Sequence, residues 1–251
     1  MLDTCFNQGA GLQSLASQTA PRVIAMTNHG DAQGELSLLW NLCSTLVDFG
    51  YSVGVLDATT AESPDNPGLE KLLEECYWSV CKQSESLPWS VIPAARGLKQ
   101  LCTQKPAHGL PLTPLSGLFQ NFGVIVIYAG VDLISQLLPD SGIEPLLAVS
   151  SVKMCPVTAY QALKQFLLNA KLRPTMASIV SAPASNTVMT GNSSVETLQE
   201  CAMTFLGYRL DTLTVRTQQP GERPSDDVKR LALRLLENAL PLRRKQLVGN
   251  Y

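Results

Sequence analysis

The sequence predicts an α/β fold of three layers, αβα, with a mainly parallel sheet between two layers of helices. Three observations predict it. Residues 22–57, RVIAMTNHGDAQGELSLLWNLCSTLVDFGYSVGVLD, read as strand, glycine-bearing loop, helix and strand, a βαβ unit. Gly123–Tyr128 (GVIVIY) is apolar without alternation, the pattern of a strand buried on both faces. Strand-like and helix-like stretches then alternate to residue 240, which implies a mainly parallel sheet covered on both faces.

In the opening unit, Arg22–Thr27 is a run of strand formers closed by polar turn residues. The loop Asn28–Gly34 follows. Leu36, Leu39, Trp40, Cys43, Leu46 and Val47 then recur at helical spacing as far as Phe49 and Gly50. A second apolar run, Ser52–Leu56, ends on Asp57. The stretch ATTAESPDNPG holds two prolines and Asx turn formers and reads as loop. Gly68–Cys76 is an expected short helix, Trp89–Pro93 a strand, and Ala94–Cys102 a helix. A polar connection, Thr103–Pro114, leads to an expected helix over Leu115–Phe122. Beyond the central strand, Val131–Leu138 reads as helix, Leu146–Ser150 as strand, and Pro156–Asn169 as a helix with proline in its first turn. Pro174–Ser181 is a further strand and Asn186–Asn192 a polar loop. Ser193–Leu206 carries a capping-box pattern, Ser193 with Glu196, and places Val195, Leu198, Ala202 and Phe205 on one face. Tyr208–Val215 and Ser225–Leu240 complete the set as strand and helix.

Composition bounds the function. The chain has 251 residues, 45% apolar and 16% charged, with net charge −2, enough to bury a substantial core. The low charge density argues against disorder, and the lack of a basic excess argues against nucleic-acid binding. Seven cysteines are scattered without a CxxC pair, so neither a zinc site nor a disulfide framework is expected; a reducing, cytoplasmic setting fits. No stretch approaches the ~18 apolar residues of a membrane span. Near the C-terminus, Arg243, Arg244 and Lys245 form a small basic cluster, but Pro241 and the weak amphipathicity argue against a membrane anchor. His29, in the first loop, and His108, in a proline-rich connection, show no triad or ligand spacing. Cys76 and Cys81 read as packing residues, and the Tyr77–Trp78 pair between them as a possible contact patch.

The residues of the opening unit resemble the MinD/ParA family of deviant P-loop ATPases. That family opens with a strand, a KGGVGK[ST] loop, a helix ending in Gly and a strand ending in Asp; here these fall on Val23–Thr27, Gly30–Leu36, Leu36–Gly50 and Val53–Asp57 without a gap. Ser150–Lys164 (SSVKMCPVTAYQALK) is similar to the family's "DAYxxIK" segment, and Thr197–Val215 to its late helix and strand. The resemblance implies a P-loop NTPase architecture of the MinD-like type over residues 22–240, with a leader (1–21) and a tail (241–251). Within the family the chain is most similar to the FlhG (FleN) regulators of flagellar number, whose leader has the pattern DQAxxLR. Asn7–Gln13 (NQGAGLQ) keeps Gln8 and Leu12. The subgroup resemblance implies a partner-binding leader and an FlhF-type GTPase as partner.

The phosphate loop, however, departs from the pattern. A P-loop holds phosphates with backbone N–H groups and a helix N-terminus, a lysine on the β/γ-phosphates and a hydroxyl on Mg²⁺. At the resembling positions the signature lysine is Gly30, the next two glycines are Asp31 and Ala32, and Gln33 follows. The third glycine survives as Gly34, the P-loop lysine is Glu35, and the Mg²⁺ hydroxyl is Leu36, with Ser37 one residue late. A carboxylate about 4 Å from a phosphate charge costs roughly 4 kcal/mol at an effective dielectric near 20, so the reversal removes at least ~10³ in affinity. Asp57 keeps the family's first acid, but the second is Thr59, and the central strand ends on Tyr128 without the acidic segment that organises metal and water. The expectation is a catalytically degenerate scaffold with no cofactor, acting by protein contact in control of flagellar number or placement. Its oligomeric state stays open. The alternatives are an active ATPase using Ser37 and Asp57 around Mg-ATP, or an adaptor in another polar system such as pilus or cellulose export.

Overall fold

In a computed structural model of the chain, the described residues are 20–75, 88–104, 109–150, 155–181, 191–218 and 222–242. The leader residues through 19, His108, the Cys76–Cys81 stretch and the Arg243–Lys245 cluster lie outside them. The elements are β1 (Arg22–Asn28), α1 (Ala32–Asp48), β2 (Val53–Asp57), α2 (Leu69–Glu75), β3 (Ser90–Pro93), α3 (Ala95–Thr103), α4 (Leu115–Leu118), β4 (Val124–Gly130) and α5 (Val131–Leu137). There follow β5 (Leu146–Val149), α6 (Cys155–Gln165) with a π-helical turn over Phe166–Ala170, β6 (Thr175–Ser181), α7 (Gly191–Leu206), β7 (Thr212–Thr217), α8 (Asp226–Glu237) and β8 (Leu240–Pro241).

The main sheet runs β3-β2-β4-β1-β5-β6-β7, and all of these neighbours are parallel. Strand alternation divides its side chains between two cores. Ile24 and Met26 of β1 and Val124, Val126 and Tyr128 of β4 face Leu38, Leu42 and Leu46 of α1 and Val228, Leu231 and Leu235 of α8. On the opposite face, Val23, Ala25, Ile125 and Ile127 meet Leu98, Leu101, Phe119, Ile134 and Phe166. That layer continues as Leu147, Val149 and Met176 under α6 and α7. Each of these fully buried aliphatic side chains contributes about 1.5–3 kcal/mol. β4 lies between β2 and β1 with Val124–Ala129 buried throughout, as its unbroken apolar run predicts.

Several boundaries differ from the sequence reading, each for a local reason. α1 starts at Ala32 rather than Leu36, because Asp31 caps it: its side chain accepts from the Gly34 N–H. α4 is one turn long instead of reaching Phe122. The chain leaves the helix at Phe119, whose ring lies near that of Phe122 at a centroid distance of 5.9 Å. α7 starts at Gly191, so Ser193 sits inside the helix and is not its N-cap. Phe205 is 71% exposed; the buried stripe is Leu198 and Ala202, and Phe205 falls off it. β7 begins at Thr212 rather than Tyr208. Gly207, at φ 61°, closes α7, and the Tyr208 N–H returns to the Ala202 carbonyl, so Tyr208–Asp211 is a connection. α8 ends at Glu237, and Leu240–Pro241 turns back as an antiparallel strand on Arg22 and Val23. Leu242 is buried, so the packed body extends past residue 240.

Candidate functional site

The site forms where β1 feeds α1. The side chain of Glu35, in the first turn of α1, is not directed outward as a solvated acid: the residue is only 1% exposed. It turns back over the preceding loop. Its Oε1 accepts from three successive backbone N–H groups, those of His29 at 3.1 Å, Gly30 at 3.2 Å and Asp31 at 3.2 Å. Its Oε2 accepts from the Tyr128 hydroxyl at 2.8 Å. Successive N–H groups converging on one point form an anion-binding nest, reinforced by the positive end of the helix dipole. Here the anion is a side chain of the loop's own helix.

The rest of the loop is built to hold that arrangement. Gly30, at φ 144°, adopts a conformation closed to most side chains and aims its N–H inward. Asp31 caps the helix through Gly34, and a Cβ on Gly34 would stand 2.3 Å from Asp31 Oδ2. The absence of a side chain at Gly34 therefore makes room for a carboxylate. His29 closes the inner side. Its Nε2 donates to the Ala148 carbonyl of β5 at 2.5 Å and lies 3.8 Å from Glu35 Oε1, while its Nδ1 contacts Thr158 Oγ1 of α6 at 3.2 Å.

The other expected site residues are placed as follows. Ala32 and Gln33 are exposed on the first turn of α1, and Leu36 is 50% exposed. Ser37 is half-buried, and its carbonyl accepts from the Asn41 side chain. Asp57 stands at the end of β2. Its Oδ1 accepts from the N–H and hydroxyl of Thr59, at 2.9 and 2.6 Å, and its Oδ2 from the Thr60 hydroxyl at 2.7 Å. This is an Asx-type closure of the β2–α2 loop. Gln8 and Leu12 lie outside the described residues. Among the described residues, no group of three or more His, Cys, Asp or Glu is arranged to hold a metal ion. No described helix is long and apolar enough to cross a membrane.

Two participants were missed in the sequence. Tyr128 reads there only as the loss of an acid. Its parity with Val124 and Val126, which face α1, is the signal that would have aimed its phenol at Glu35. Thr158 and His29 are 129 residues apart, and only the β1–β5 neighbourhood brings them together.

Solved structures share this architecture. The chain superposes on a chain of the Aquifex aeolicus MinC:MinD cell division protein complex with a TM-score of 0.55 at 14% identity, over 88% of this chain and 98% of that one. A Cyanothece McdA–ATP complex gives 0.55 at 14% identity, over 92% and 100%. A plasmid partition protein from Borrelia burgdorferi gives 0.53 at 14%, over 86% and 99%. The fold is that of the MinD/ParA-type P-loop ATPases. At such identities the likeness extends to the fold alone. No protein-family model matches the sequence, and no curated protein matches it. Within this fold, the nest that Glu35 fills lies at the turn from β1 into α1.

Proposed function

We propose that the protein is a pseudo-ATPase: it keeps the MinD/ParA-type frame, binds no nucleotide, and works as a regulatory scaffold by protein contact. One observation carries the reading. The phosphate nest is occupied by the Glu35 carboxylate with four hydrogen bonds. A phosphate entering there would displace a buried carboxylate from all its donors, or else lie against it at a cost of roughly 4 kcal/mol for charges 4 Å apart at an effective dielectric near 20. The surrounding residues do not fit a Mg-nucleotide either. Leu36 offers no hydroxyl to Mg²⁺, and both Asp57 oxygens are engaged by Thr59 and Thr60. Calorimetry with Mg-ATP and Mg-ADP tests the reading. No saturable heat is expected up to millimolar nucleotide, and micromolar binding would sink it.

The finer proposal is a positioning role in control of flagellar number or placement, with an FlhF-type GTPase as partner engaged through the leader at Gln8 and Leu12. It is supported by the leader's resemblance to DQAxxLR and by solved neighbours named for cell division and plasmid partition. A chain lacking residues 1–19 is expected to keep its melting temperature and lose stimulation of such a GTPase. Undiminished stimulation would defeat the flagellar assignment and leave the scaffold reading standing.

A further inference from the structure

We propose that the outer edge of β7 docks an extended, acidic peptide segment of a partner protein, taken up as an added strand. The proposal rests on the scaffold reading above and names the surface it would use. The sheet has two edges, and they are treated differently. β3 is four residues long, ends on Pro93 and is preceded by Pro88, so it is short and poor in N–H donors. Proteins blunt exposed edges in this way. β7 runs six residues, TLTVRT, without proline, glycine or bulge, and pairs with β6 in unbroken register from Thr212 to Thr217. No strand pairs with its other side among the described residues.

A groove of about 290 Å³ lies along that edge, lined by Thr212, Leu213, Thr214 and Arg216 of the strand and by Asp227 and Arg230 of α8. Its charge is unbalanced. Arg216 Nε lies 3.9 Å from Asp227 Oδ2, and Arg230 bonds Asp227 Oδ1. Two guanidiniums thus share one carboxylate, while the neighbouring Asp226 is matched by Lys229. Both arginine side chains are about three-quarters exposed, at 75% and 74%. Each guanidinium carries five donors in a planar fork suited to a second carboxylate. The backbone edge calls for an extended strand, which supplies affinity through main-chain hydrogen bonds. The surplus positive charge calls for acidic side chains at alternate positions, beside Arg216 across the new strand pair.

The test uses the full chain and a peptide with glutamates at alternate positions, fluorescein-Thr-Glu-Val-Glu-Thr-Val-amide with the dye on its N-terminus, and a version with lysine for both glutamates as control. The expected result is saturable anisotropy for the glutamate peptide and at least tenfold weaker binding of the lysine peptide. Hydrogen exchange should slow over residues 212–217. The double variant Arg216→Glu, Arg230→Glu should invert the charge preference. Arg230→Gln, which removes charge without repulsion, should give a partial loss and keeps the test readable if the reversal lowers stability. Equal binding of both peptides, protection elsewhere, or no saturable binding at millimolar peptide would overturn the proposal. So would a concentration-dependent dimer broken by the same variants, since the occupant would then be a second copy. Micromolar Mg-ATP binding alongside intact peptide capture would defeat the pseudo-ATPase reading and leave this surface in place.

Discussion

Replacing Glu35 with alanine is expected to lower the unfolding free energy by about 3 kcal/mol, a large loss for one residue of a single helix turn. The reason is accounting of donors. Removal leaves the N–H groups of His29, Gly30 and Asp31 and the Tyr128 hydroxyl without the acceptor they share. A buried donor without a partner costs about 1–3 kcal/mol, and water entering the vacated space recovers part of the sum. For a chain of this size the change corresponds to a melting-temperature drop of roughly 6–12 °C. Glu35→Gln should cost about 1–2 kcal/mol, because an amide oxygen can still take the three N–H groups but without the charge. Urea unfolding checks both. A loss under about 0.5 kcal/mol for the alanine variant, the size expected of an exposed acid, would mean that the carboxylate is not seated in the nest.

Tyr128 supplies an independent reading of the same contact. Burial, and then the adjacent Glu35 carboxylate, push its phenol well above the ordinary tyrosine value near 10. A folded-state value raised above the unfolded one gives stability that is full below about pH 10 and falls as pH rises beyond it, by up to about 1.4 kcal/mol per unit. Cys43, pushed up to about 12 by burial, adds a similar slope from lower pH. The difference between wild type and Tyr128→Phe therefore isolates the phenol. The variant should lose about 1.5 kcal/mol at neutral pH and show a shallower decline above pH 10.

The fold was legible because its signals are local. The apolar run of β4, the helical repeat of α1 and the glycine loop between β1 and α1 are each contained in a single stretch of sequence. Where those signals misplaced a boundary, a local backbone conformation had decided it, as when Gly207 ended α7 and delayed β7 to Thr212. The site was half legible. The two acids Asp31 and Glu35 were visible, but they read as two anions repelling a ligand. Their actual roles depend on backbone direction: Asp31 faces the Gly34 N–H, and Glu35 curls over a nest that exists only once Gly30 turns. Tyr128 is 93 residues from Glu35 in sequence, and His29 meets Ala148 across 119. Periodicity reports which face a residue occupies, not which distant partner waits there.

A second acid on the same rim leads to an equally large expected effect. Glu62, buried in the loop after β2, sends its Oε2 to the Arg96 N–H at 2.7 Å and its Oε1 to the Gly97 N–H at 2.9 Å. It thereby caps α3, whose own N-cap residue, Ala94, has no side chain able to do so. Gly68 lies against this contact: a Cβ there would meet the Pro93 carbonyl oxygen at 2.1 Å and Glu62 Cγ at 2.7 Å. Gly68→Ala must displace the Pro93 carbonyl of β3 as well as the capping Glu62 side chain, and is expected to cost about 3 kcal/mol. Gly117→Ala is the control. Nothing lies within 4 Å of its added carbon, and in α4 it should be neutral or stabilising by up to about 1 kcal/mol. Equal melting temperatures for the two variants would refute the close approach. Asp31 and Glu35, just after β1, and Asp57 and Glu62, at the end of β2 and in the loop after it, all accept hydrogen bonds from the chain's own loops and helix starts. Negative charge that would be expelled from a rim holding phosphate is here what ties that rim together.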